Sequence, residues 1–120
     1  MSSYVRTVQS REIPEYVDEI LNRVDHYLLL KFIPRRASSG DFMYLAYRGE
    51  LVGRAVIDRL EEVDGIYPIG SKQEDYHARC LVWYRGGWER PPRRIPVRGR
   101  QGIRYLEGLG LSELDQEKWS

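Results

Sequence analysis

The chain has 120 residues, a length suited to one domain that buries roughly two thirds of its unfolded surface without disulfide or metal staples. Hydrophobic content of 42% with 12% aromatic residues excludes a disordered chain, and no apolar run approaches the roughly 20 residues of a membrane span. The net charge of +1 suggests no partner by itself, and a lone cysteine, Cys80, excludes an intrachain disulfide or a multi-thiolate metal site.

Tyr4-Val5-Arg6-Thr7-Val8 reads as a short opening strand. Pro14, followed by Glu15, Asp18 and Glu19, opens a helix: proline suits the first turn and carboxylates suit the positive end of the helix dipole. Ile13, Val17, Ile20, Leu21 and Val24 recur at helical spacing, so the helix is predicted over about residues 14–25. Residues 27–33, from Tyr27 to Ile33, are too short and too apolar for a surface helix and read as a buried strand. Pro34 to Gly40 is a loop by its breakers and small polar residues.

Gly40 to Ile57 is the most informative stretch. It reads as two buried strands reversing at Gly49, with Gly53 marking a bulge or a close backbone approach in the second, which runs to about Leu60. Asp64-Gly65 and Tyr67-Pro68-Ile69-Gly70-Ser71 punctuate a further loop. His77 to Tyr84 is a strand closed by Gly86-Gly87, and Cys80 within it is a small core residue. Trp88 to Arg94 is extended or turn-like because Pro91-Pro92 block helix and ladder bonds, and Ile95-Pro96-Val97 is an edge strand. Ser112 is the expected N-cap of a last helix over about 113–119, with Asp115 three residues on. One early helix followed by strands predicts a single α+β domain over 1–120: a small β-barrel or strongly curved, mostly antiparallel sheet with an early helix and a short C-terminal helix. The amino-terminal sixteen residues lack the apolar centre of a secretory signal, so a cytoplasmic location is expected.

Charge is patterned along the chain. The cations are 16 Arg and only 3 Lys, and six Arg lie from Arg90 to Arg104 with no acid among them. Residues 12–25 and the last sixteen residues are acidic. Arginine binds phosphate bidentately and stacks on bases, so Arg93, Arg94, Arg98 and Arg100 are candidate phosphate ligands, with Trp83 and Trp88 as candidate stacking platforms. Solvated arginines paired with the acidic segments, and a tryptophan packed in the core, are the plain alternatives. Arg35-Arg36, with the Ser38-Ser39 hydroxyls, form a second candidate phosphate contact against an exposed-loop reading. His26 follows a predicted helix end, where a cation is favoured, and both it and His77 read as structural. Glu61-Glu62 with Asp64, and Glu74-Asp75, read as solvated edges, because neighbours on a strand point to opposite faces. No histidine, cysteine or carboxylate grouping has metal-ligand spacing, so no metal, cofactor or catalytic residue is assigned.

The helix Pro14 to Leu21, the Gly40-Asp41 pair opening a strand, the alternation Phe42-Met43-Tyr44-Leu45, the Gly49…Gly53-Arg54-Ala55 return and the basic segment Arg98 to Leu106 together resemble the PUA-like superfamily, the small barrels that include ASCH and EVE domains. The resemblance spans residues 13–106 and implies a barrel whose groove accepts an unstacked or modified base, with nucleic acid, RNA above all, as partner. It also allows an ASCH-like amidohydrolase acting on a modified nucleoside. The Gly-x-Lys-x-x-Glu-x-Arg segment usual in ASCH domains is replaced here by Asn22-Arg23-Val24-Asp25-His26-Tyr27-Leu28-Leu29, so no catalytic residue carries over. A third expectation is a protein-interaction or ligand-sensing domain whose acidic helix, 14–25, meets a basic partner.

Overall fold

The structure, a computed structural model, describes residues 2–69, 74–99 and 102–120. Its elements in chain order are β1 (Tyr4–Val8), α1 (Pro14–Leu21), β2 (Tyr27–Leu30), β3 (Phe42–Tyr47), β4 (Glu50–Ile69), β5 (Glu74–Glu89) and β6 (Ile103–Tyr105), followed by 3-10 turns at Leu106–Leu109 and Ser112–Gln116. The strands form one sheet in the order β2-β5-β4-β3-β1-β6, curled into a half-barrel. All neighbours are antiparallel except β1 and β3, which run parallel with Tyr4 beside Met43.

β3 is apolar throughout because both of its faces are covered. Side chains alternate across a strand, so Met43, Leu45 and Tyr47 pack inside the curl with Tyr4, Val8, Ala55, Ile57, Cys80, Val82 and Tyr84. The α1 residues Val17, Ile20 and Leu21 join this inner core. Tyr44 and Ala46 face the other way and meet Val5, Leu51, Ile95, Val97, Leu106, Leu114 and Trp119. The C-terminal turns are therefore the lid of a second core.

The reversal between β3 and β4 is a two-residue turn. Arg48 and Gly49 have φ of 48° and 86°, and Tyr47 pairs with Glu50, which is the primed geometry that matches strand twist. Arg48 tolerates its left-handed backbone while its guanidinium covers the Tyr47 ring at 4.8 Å and donates to the Ser10 and Glu12 carbonyls. Gly53 follows a register shift in the β3–β4 ladder, and a Cβ there would stand 2.7 Å from Leu21 Cδ2. The bulge and the close approach expected at this glycine are both present.

Six features differ from expectation. α1 ends at Leu21 rather than near Asp25; Asp25 takes φ 50° and exchanges hydrogen bonds with Gly86, which turns the chain into β2. β2 ends at Leu30, so Lys31, Phe32 and Ile33 leave the ladder. The segment after Leu60, expected to be a loop, is strand as far as Ile69 and pairs with β5 from Glu74 in a long ribbon, with Gly65 absorbed at a register shift and Pro68 where β4 pairs with β5 alone; Gly70 and Ser71 of the expected loop lie outside the described residues. β5 likewise passes through Gly86, at φ 70°, and continues to Glu89. The expected edge strand Ile95-Pro96-Val97 is reduced to a bridge from Pro96 to Glu50. The expected C-terminal helix is a 3-10 turn; Ser112 is its first residue, Leu111 precedes it, and no side chain caps it. No helix among the described residues is long and apolar enough to cross a membrane.

Candidate functional site

The register between β2 and β5 builds a cationic cleft. Leu30 pairs with Cys80 in the last rung of that ladder, so Lys31, the next residue of one strand, emerges beside Arg79, the preceding residue of the other. The chain then turns away through Phe32, Ile33 and Arg35. These five residues line an open cleft of about 300 Å³. Phe32 is 38% exposed, so part of its ring faces solvent. Its ring meets the backbone of the basic carboxy-terminal segment, where a Cβ on Gly102 would lie 3.8 Å from Phe32 Cζ.

Charge in and around the cleft is unevenly matched. Arg35 approaches Glu62 at 3.8 Å, but both side chains are largely exposed, and such a pair contributes about 0–1 kcal/mol. Lys31 places its ammonium 5.2 Å from the Tyr76 ring centroid, and among the described residues neither it nor Arg79 forms an ion pair. Arg6 approaches the same ring at 6.0 Å, but its guanidinium donates to the Leu29 carbonyl and closes the seam between β1 and β2. The cleft is thus a cationic surface with an aromatic wall. Its lining holds no histidine, hydroxyl or thiol that a base could activate. Among the described residues no group of three or more His, Cys, Asp or Glu is gathered to hold a metal.

The structure scatters the residues singled out in the sequence. Arg35 lines the cleft. Arg36 is tied to Glu107 and lies over the Tyr105 ring at 4.7 Å, while its backbone N–H donates to the Tyr105 hydroxyl, so it fastens the loop to β6. Arg93 makes a two-pronged contact with Glu117 at 3.0 and 3.1 Å, and Arg94 meets Glu50 at 2.7 Å. Arg98 is exposed, and its carbonyl accepts from Arg104. Arg100 lies outside the described residues. The expected Arg93–Arg100 patch is therefore largely neutralised within the protein along its first half.

The tryptophans also separate. Trp88 is 7% exposed and packs edge-on against Tyr84, so its ring is a core element with no free face for a base. Trp83 is half-buried; Nε1 donates to Glu61, and Arg59 and Tyr27 cover its ring at 4.5 and 4.9 Å. His26 stands past the helix end rather than on it, and burial, with Arg23 nearby, pushes its pKa below the ordinary value, against the cation-favouring position expected. His77 hydrogen-bonds Asp64 on the ribbon.

The sequence does not show that Lys31, Phe32 and Arg79 come together. The available signal was an apolar strand ending in a lysine; only the Leu30–Cys80 register reveals its arginine neighbour. Nor does the sequence mark Arg54, a buried cation that donates to Glu89 at 2.8 Å and to the carbonyls of Leu114 and Glu117 at 2.8 and 2.9 Å. Phe42 and Trp119 flank its guanidinium at 4.2 and 4.8 Å. Arg54 is consumed by these contacts and holds the C-terminal lid. Comparison with protein-family models, curated proteins and solved structures finds no match.

Proposed function

We propose that this protein is a nucleic-acid-binding module that engages single-stranded RNA at the cleft formed by Lys31, Phe32, Ile33, Arg35 and Arg79. The observation that carries the reading is the joining of three cations to an exposed aromatic ring in one concavity. Cations track phosphates, and a ring face stacks a base without regard to sequence. Gly102 lies beside the Phe32 ring at the rim of the same surface. RNA is favoured over DNA by the resemblance to PUA-like barrels, which belongs to this proposal. The cytoplasm is the compartment it implies.

Fluorescence anisotropy with labelled single-stranded RNA and DNA tests the reading. Three cations that neutralise phosphate charge on a single strand give a log–log salt slope of about −2, and Lys31→Ala/Arg79→Ala should make it shallower by roughly 1.4. Absence of binding to either nucleic acid at low salt rejects the proposal. Lys31 is the one amine on the lining, and no histidine or carboxylate lines the cleft to serve as its base, so we assign binding and not amide hydrolysis to this cleft.

A second reading has its own observation. α1 exposes Glu15, Asp18 and Glu19, and Ile13 and Val24 at its two ends are each 60% exposed. Carboxylates flanked by exposed apolar groups suit a basic protein partner. Retention of that partner in a pull-down after nuclease treatment, lost in Ile13→Asp, would favour this surface.

A further inference from the structure

We infer that the cleft takes the phosphorylated end of a strand, a terminal phosphomonoester, in preference to an internal phosphodiester. This inference rests on the nucleic-acid reading above and specifies what that site selects. Lys31, Arg35 and Arg79 bring three positive charges to the lining; Glu62, opposite Arg35, returns one, and Asp64, which feels Arg79, is hydrogen-bonded to His77, leaving two. An internal phosphodiester carries one negative charge. A phosphomonoester carries about −1.5 to −2 near neutral pH and offers three acceptor oxygens. The cleft's surplus therefore matches the end of a strand better than its middle.

Shape agrees with charge. A volume of about 300 Å³ lies at the small end of ligand pockets and suits one nucleotide, not a threaded strand. The donors differ in a useful way: Arg35 and Arg79 present planar forks for two oxygens each, whereas Lys31 supplies a compact charge. Phe32, on the same lining, is placed to stack the terminal base while the phosphate meets the cations. The Arg35–Glu62 contact is long and exposed, so a phosphate can replace Glu62 at little cost. Arg93 and Arg94, by contrast, are each matched to one acid at close range and present no comparable surplus.

The experiment uses the full chain and three single-stranded RNAs of one sequence, carrying a 5′-phosphate, a 3′-phosphate or hydroxyls at both ends. The hydroxyl-ended strand should bind roughly tenfold more weakly than at least one phosphorylated strand, the factor expected for one added charge-assisted contact. Whichever phosphorylated strand binds tighter identifies the end. Lys31→Ala and Arg79→Ala should reduce that ratio to near one, while Arg93→Ala leaves it unchanged. Glu62→Gln, which frees Arg35, should tighten the phosphorylated strand more than the hydroxyl-ended one. Equal affinity for all three strands overturns the end selectivity and leaves nucleic-acid binding standing. No binding to any of them overturns both.

Discussion

Replacing Arg54 by methionine should loosen the C-terminal lid. Methionine keeps the apolar stem but removes a guanidinium that is 4% exposed and donates to Glu89, Leu114 and Glu117. Deleting one partner of a buried ion pair costs about 3–5 kcal/mol when the other is stranded. Glu89 keeps a side chain 40% exposed, so it can turn to water, and the cost falls at the low end, about 3 kcal/mol. The carbonyls of Leu114 and Glu117 lose their donor in either case. For a domain of this size, that corresponds to a fall in Tm of roughly 10 °C. Urea unfolding followed by tryptophan fluorescence gives the free energy, and a thermal scan by circular dichroism gives Tm. Arg54→Lys should recover only part of the loss, because an ammonium cannot reach the three acceptors as a fork does. Limited proteolysis should cut the Met variant after Leu106 well before the rest of the chain. A loss below about 1 kcal/mol, with unchanged proteolysis, would refute the view that Arg54 holds the lid.

Gly53→Ala forces a methyl to 2.7 Å from Leu21 Cδ2 and 3.4 Å from the Glu89 carbonyl, and should destabilise by about 1–3 kcal/mol in the same urea assay; a neutral result would refute the close approach. Cys80 is fully buried and burial pushes its thiol pKa up, so a thiol reagent should label it only at the rate of unfolding. The hydrogen bond and charge of His77, with a smaller contribution from Arg79, hold the Asp64 carboxyl below its ordinary value of 3.8, a shift that NMR titration should show and His77→Ala should largely remove. Because that pKa is depressed in the folded state, the pair's contribution to stability is present above the ordinary value and lost as pH falls through the depressed one. The stability gap between wild type and His77→Ala should therefore close on acidification.

The hairpin around Gly49 was legible because its cues are local: alternating apolar residues, a glycine at the reversal and another where α1 approaches. The ribbon beyond Leu60 was not, because Asp64-Gly65 and Pro68 look like breakers. A register shift absorbs the first, and the second falls where β4 has a partner on one side only. Ser112 carried a good capping signal, but Leu114 and Trp119 must reach the outer core, and packing of the segment against β3 and β4 favours a tighter turn. The charge pattern is legible along the sequence, but the pairing of the charges in space is not. Arg93 and Arg94 look free in sequence and find Glu117 and Glu50 in space, while Lys31 and Arg79, far apart in sequence, meet through strand register.

Two cores on one sheet also set an order of events during synthesis. The inner core draws on β1 to β5 and α1, all of which emerge from the ribosome before residue 90. The outer core waits for Leu106, Leu114 and Trp119. Until then the nascent chain presents Val5, Tyr44 and Leu51 as a bare apolar face, with the Arg54 guanidinium lacking two of its acceptors. Such a face is open to misassociation until the last turn docks over it.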